Sequence, residues 1–113
     1  MKRFEVWFAE LPYTPGSHVQ AGKRPVIVVS QSAERDEELL VTIIPLTTKY
    51  RRLDLKTHVL IMSHGLQQAS MAKCEQIMTV DKRILLNRVG FIDSRHERNA
   101  ICHAMSTQLG LAV

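Results

Sequence analysis

The chain has 113 residues, 45% of them apolar, with a formal net charge of +4 and a pI of about 9.4. That length fits one domain, residues 1–113, able to bury a core without staples, since domains commonly run to about 100–150 residues. Two cysteines, Cys74 and Cys102, exclude a disulfide framework and suit a reducing cytosol, and no apolar run approaches the roughly 18 residues that span a bilayer.

The opening "MKRFEVWFAEL" has a basic start but neither a long apolar core nor a small-residue cleavage site, so it is not a signal peptide and a soluble, cytoplasmic protein is expected. Residues 4–11 alternate loosely, with Glu5 between apolar neighbours, and read as a first strand. "PYTPGSHVQAGK" (12–23) holds two prolines and two glycines and is a long loop. Structureless loops beyond about 12 residues are usually functional or disordered.

"RPVIVVS" (24–30) is a second strand whose continuous apolar run implies burial on both faces or under a barrel core. A charged, mobile connection (31–38) leads to a third strand, "LLVTIIPLT" (39–47), with Pro45 near its end, where a missing donor is tolerable. A basic loop passes into a fourth strand at about 57–62, and "SHGLQQAS" (63–70) is turn and loop. "MAKCEQIMTVD" (71–81) reads as one fifth strand, "DKRILLN" (81–87) as one or two helical turns, and "RVGFI" (88–92) as a closing strand.

The clearest helix comes last. Ser94 with Glu97 three residues on forms a capping box, and Ile101, Met105 and Leu109 fall on one face with Ala104, before Gly110. Five or six short strands and one packed helix make a mainly β (α+β) domain, a small barrel or strongly bent sheet.

Metal and nucleophile chemistry find little support. The five histidines show no C-x2-C or H-E-x-x-H spacing, so no metal or cofactor is expected. Cys74 lies within an apolar strand and Cys102 near the buried helical stripe, as small core residues do. The cations fall in two groups. Lys23 and Arg24 follow the long loop, and Lys49, Arg51 and Arg52 crowd the loop after the third strand. If the second and third strands pair, both groups open on one rim, and with Tyr13 and Tyr50 they set cations beside aromatics, as single-stranded nucleic-acid sites do. Two ordinary solvated loops are the other reading of the same pattern.

"EVWFAELPYTPGSHVQAGKRPVIVVS", "VTIIPLTTK", "LKTHVLI" and "CEQIMTVDKRIL" occur in that order. Together they resemble the MazF/PemK (Kid) family, ribosome-independent mRNA interferase toxins of type II toxin–antitoxin modules, over residues 5–111. The resemblance implies an SH3-like barrel with a C-terminal helix, a homodimer, and a flexible antitoxin partner. Operator DNA would be met only through the antitoxin complex. The implied activity is sequence-specific, metal-independent cleavage of single-stranded mRNA by 2′-hydroxyl attack on the adjacent phosphate, which inhibits translation and growth. Carried over by position, the catalytic arginine is Arg24 in "KRPV" and the threonine is Thr47 in "PLTT", with Thr48 the next assignment. Ser17 and Gln20 match the loop serine and glutamine, and Lys23, Lys49, Tyr50 and Arg51 complete an RNA-binding rim. His58 and Gln76 match positions near the dimer or RNA groove.

The residue types suit the chemistry. A guanidinium stays protonated and holds charge developing on phosphate oxygens through parallel donors, and a threonine hydroxyl adds a third. Neither is a base at neutral pH. Many relatives carry an acidic residue directly after "GS", whereas this chain has His18 and Val19 and one residue more; His18 is thus a candidate base or acid, or an RNA contact on a variable loop. Phe4 stands where relatives often have glycine, and Met78 where they often have arginine. Two rival classes remain. A CcdB-like gyrase-poisoning toxin of the same fold depends on a tryptophan-type C-terminal tail, whereas this chain ends "QLGLAV" and its one tryptophan is Trp7. A catalytically weakened relative that only binds nucleic acid or antitoxin is the other. The apolar run "LLVTIIPL" also hints that a second chain covers part of it.

Overall fold

Each strand of the computed structural model follows from an apolar run interrupted by turn chemistry; residues 1–62 and 64–111 are described. The strands are β1 (Glu5–Leu11), β2 (Gly22–Val28), β3 (Leu40–Thr47), β4 (His58–Ile61), β5 (Ser70–Lys73), β6 (Met78–Asp81) and β7 (Leu85–Phe91), and one helix follows, α1 (Arg95–Leu109). They hydrogen-bond antiparallel in the order β4-β5-β3-β2-β1-β7, with β6 also on β3. This bent sheet is the SH3-like barrel with its C-terminal helix that the sequence led us to expect. The expected soluble-protein character has a narrower counterpart: among the described residues no helix is long and apolar enough to cross a membrane.

Strand β3 is the spine. One edge pairs with β2 (Val26↔Pro45, Ile27↔Ile44, Val28↔Ile43), and the other pairs first with β6 through Ile43 and then with β5 from Leu46. Pro45 sits where that second edge passes between neighbours, so its missing N–H interrupts no ladder there. Side chains alternate across the strands and build two cores. Val6, Ile27, Ile44 and Leu46 pack with Ile92, Ile101 and Ala104 beneath α1, whereas Ala9, Val26, Val28, Val41 and Ile43 form a second cluster with Ala33 and Leu85.

The run 39–46 is largely buried within the single chain: Val41, Ile43, Ile44, Pro45 and Leu46 are covered, and only Leu39 and Leu40 stand exposed. The apolar surface that this run leaves for a second chain is thus confined to Leu39 and Leu40. The stretch 71–81 is two strands, not one. A 3-10 turn, Cys74–Gln76, divides it: the Cys74 N–H makes a last bond of the β4–β5 register, to the Thr57 carbonyl (2.9 Å), and the Cys74 carbonyl then turns to accept from the Ile77 N–H (3.3 Å). The expected helical turns at 81–87 shrink to one 3-10 turn, Lys82–Ile84, capped by the Asp81 side chain on the Arg83 N–H, and β7 begins at Leu85. The connection after β2 likewise opens with a 3-10 turn, Gln31–Glu34, that buries Ala33.

Half of the expected capping box forms. Ser94 Oγ accepts from the Glu97 N–H (3.2 Å), but the Glu97 carboxylate turns inward to the Met62 N–H (2.8 Å) and His64 Nε2. That tie brings His64 and Gly65 hard against β7, where a Cβ on Gly90 would lie 1.8 Å from the His64 carbonyl oxygen. Ala112 and Val113, the end of the tail compared with gyrase poisons, lie outside the described residues.

Phe4 holds a left-handed backbone, φ +70°, which explains glycine at this place in relatives. The conformation costs a side-chain-bearing residue about 1 kcal/mol. Burial of the ring offsets that cost, with the Arg3 guanidinium 4.7 Å and the Arg98 guanidinium 5.5 Å from its centroid.

Glu5, buried in β1, accepts from the Lys2 N–H (2.7 Å), Trp7 Nε1 (3.1 Å) and Arg88 Nε (2.8 Å). Burial pushes its pKa up, but these donors outweigh burial and hold it below the usual 4.5. The unfolded chain therefore takes up this proton first: the stabilisation is complete above pH 4.5 and is lost as pH falls through the folded value. Glu5→Ala, which strands three donors, is expected to lower the unfolding free energy by about 2 kcal/mol at pH 7 in urea melts, and by less at pH 3. An equal loss at both pH values would contradict this.

Candidate functional site

The antiparallel pairing of β2 with β3 sets the start of one beside the end of the other. Carried two residues past Val26↔Pro45, the same register sets Arg24 across from Thr47. Both are on the face of the second core, since Arg24 pairs with buried Ala9 on β1. That register sets Lys23 and Arg24, at the start of β2, and Lys49 and Arg51, in the loop after β3, at the same end of the β2–β3 ladder.

Arg24 is oriented before any ligand arrives. Gly22, at φ +82°, turns the loop into β2, and the Arg24 Nε–H donates to the Ala21 carbonyl (2.9 Å). This leaves both terminal nitrogens without a bond among the described residues. They face an open cleft lined by Tyr13, Ser17, His18 and Gln20. Thr47 is 6% exposed, and its Oγ1 accepts from the Lys49 N–H (3.1 Å), a bond that leaves its own proton available to donate. Thr48 does not join it; this residue lines a separate cleft with Phe8, Pro25 and Gln68.

The 12–21 loop is tied by its backbone. Ser17 Oγ accepts from the Val19 N–H (3.1 Å), the Gln20 N–H donates to Gln76 Oε1 (2.8 Å), and Gln76 Nε2 reaches the His18 carbonyl (3.5 Å). Gln76 thus spends its amide on the loop, while the His18 and Ser17 side chains stay exposed in the cleft. Tyr50 donates its hydroxyl to the Ala69 carbonyl, which fixes the ring at the rim, whereas Tyr13 is 74% exposed. Met78, where relatives often carry arginine, packs against the second core.

One element of the site had no signal in the spacing. His58, with its side chain 5% exposed, sets Nδ1 against the Arg51 and Arg52 carbonyls (2.8 and 2.9 Å) and Nε2 against Glu75 Oε2 (2.7 Å). The adjacent polar pair Glu75–Gln76, which interrupts the alternation, is a signal that could have marked residues 74–76 as other than strand. Among the described residues no group of three or more metal-ligating side chains converges. Cys74 is no nucleophile: burial first, and the Glu75 charge second, push its thiol up to about 12. Thiol labelling of the folded protein at pH 8 should therefore spare Cys74 and reach it only after denaturation. Modification of Cys74 at the rate of a free thiol in the native state would contradict that burial.

A small, basic, mostly antiparallel barrel with a cationic rim fed by two loops is the class that these observations define. Residues 2–107 match the family described as PemK-like, MazF-like toxin of type II toxin-antitoxin system, and the chain belongs to that family. Endoribonuclease EndoA of Bacillus subtilis is 32% identical over 95 residues, 82% of this chain and 81% of the relative. Endoribonuclease MazF of Staphylococcus saprophyticus is 27% identical over 113 residues, covering 98% and 92%. A solved endoribonuclease in complex with its cognate antitoxin, from Mycobacterial species, superposes with a TM-score of 0.79 at 25% identity over 100% of this chain and 98% of its own. MazF from Deinococcus radiodurans gives a TM-score of 0.78 at 18% identity over 96% and 94%, a likeness of fold.

Proposed function

We propose that this chain is a cytoplasmic, metal-independent endoribonuclease toxin that cuts single-stranded RNA at the Arg24–Thr47 rim. The observation that carries the reading is the β2–β3 register, which brings an always-charged guanidinium and a hydroxyl donor toward one another in a member of a toxin family whose relatives are named endoribonucleases. Lys23, Lys49 and Arg51 would track the phosphate backbone, with Tyr50 as a stacking surface.

In the reaction the 2′-oxygen attacks the adjacent phosphorus, so that the O2′–P bond forms and the P–O5′ bond breaks. A 2′,3′-cyclic phosphate and a free 5′-hydroxyl result. The Arg24 terminal nitrogens and the Thr47 hydroxyl donate to the non-bridging oxygens, where charge grows in the transition state. His18, exposed in the cleft that Arg24 also lines, takes the 2′-proton, and a proton returns to the departing 5′-oxygen. A flexible acidic segment of an antitoxin would compete for the rim by charge, as the complex solved for a relative suggests, and a second copy of the chain would complete the toxin.

The purified protein should cleave single-stranded RNA in EDTA. Arg24→Ala should lower the rate at saturating RNA by about 10²–10³-fold, the usual effect of removing a transition-state donor, without changing the melting curve. Full activity in that variant, or inhibition of gyrase supercoiling without RNA cleavage, would overturn the proposal.

A further inference from the structure

We propose that the 3-10 turn Cys74–Gln76 is a bracket that positions both loops of the rim at once, with Gln76 holding the 12–21 loop and Glu75, acting through His58, holding the 48–57 loop. The inference rests on the reading of that rim as the RNA site and adds positioning residues to it.

The turn has a fixed base. Cys74 is fully buried, its N–H donates to the Thr57 carbonyl (2.9 Å), and Gln108 of α1 reaches the Glu75 carbonyl oxygen (3.4 Å). From this base two adjacent side chains diverge. Gln76 takes the Gln20 N–H and the His18 carbonyl, as described above. Glu75 meets His58 Nε2, and His58 Nδ1 faces two carbonyl oxygens. Carbonyls only accept, so Nδ1 carries a proton. The Nε2–Oε2 contact then holds one further proton between imidazole and carboxyl, and the pair is neutral overall wherever that proton sits. Such a pair fixes the ring by hydrogen bonds on both sides.

What His58 holds is a loop that would not keep this path unaided. Arg52 is left-handed at φ +51°, a conformation rare for a residue with a side chain. Its carbonyl accepts from both His58 Nδ1 and the Leu55 N–H (2.9 Å), while its guanidinium closes on Asp54 with two bonds of 3.0 Å. The Arg51 carbonyl is pinned by the same ring nitrogen. Tyr50, Arg51 and Arg52 are exposed, so their backbone is set from inside while their side chains face solvent. Neither His58 nor Glu75 needs to touch RNA for this; each acts through the cations it positions.

Two pairs of variants test the bracket. The carboxamide nitrogen of asparagine falls near the place of Nδ1, and that of glutamine near Nε2. His58→Asn should therefore keep the loop bonds, and His58→Gln should lose them. Glu75→Gln keeps a partner for Nε2, and Glu75→Ala does not. For His58→Gln and Glu75→Ala the expected result is faster amide exchange across 49–56, about tenfold weaker binding of an RNA oligonucleotide blocked by 2′-deoxy substitution, and a KM raised by a similar factor at nearly constant kcat, the scale of one lost charge-assisted hydrogen bond. His58→Asn and Glu75→Gln should stay within about twofold of the parent. Parental exchange and RNA affinity in His58→Gln and Glu75→Ala would overturn the bracket, as would a fall in kcat at unchanged KM, which would make His58 a reacting group. If the parent protein neither binds nor cuts RNA, the reading of the site fails by itself, and the exchange of residues 49–56 still decides the bracket.

Discussion

The pairing of β2 with β3 is the constraint on which the rest depends. Strand residues alternate between faces, so a slip of one place would exchange every inward side chain for an outward one. Val26, Ile27 and Val28 against Pro45, Ile44 and Ile43 fix the register twice, because both faces are buried: one under α1, the other over the second core. A slip would strip both cores at once. The same register sets Arg24 against the end of β3, so the packing that stabilises the barrel also places the charge. The site inherits its precision from the core.

The loops on either side of that ladder are organised by a different means. Backbone groups of the 12–21 and 48–57 loops cannot be satisfied by a sheet, and they find side chains instead: Gln76 for one, His58 for the other. Buried or half-buried polar partners of this kind hold a loop only when each donor has its acceptor. Glu75 Oε1, buried and without a partner among the described residues, is the exception in this network.

What could be read in the sequence divides along the same line. Strands β1 to β4, the helix and its Ser94 cap were legible because period and capping chemistry are local. Arg24 and Thr47 were named from residue type, order and family resemblance, and the β2–β3 register sets them across from one another. The split of 71–81 was not legible, because an apolar stretch hides a 3-10 turn when Cys74 keeps the hydrophobic pattern while its carbonyl turns to the Ile77 N–H. Glu97 satisfies the capping-box spacing, yet a histidine 33 positions away claims its carboxylate. Where Thr47 and Thr48 come to lie, and which partner Glu75 finds, depend on faces and neighbours that only the assembled barrel defines.

If the register makes one site of two residues, Arg24 and Thr47 hold the same phosphate, and their contributions are coupled. The direct test is the single-turnover cleavage rate of a short RNA by Arg24→Ala, Thr47→Ala and the double variant. Groups that act as a unit are non-additive. The expected result is a double variant about as slow as Arg24→Ala alone. A double variant whose loss equals the product of the two single losses would show two independent residues, and would contradict the shared site.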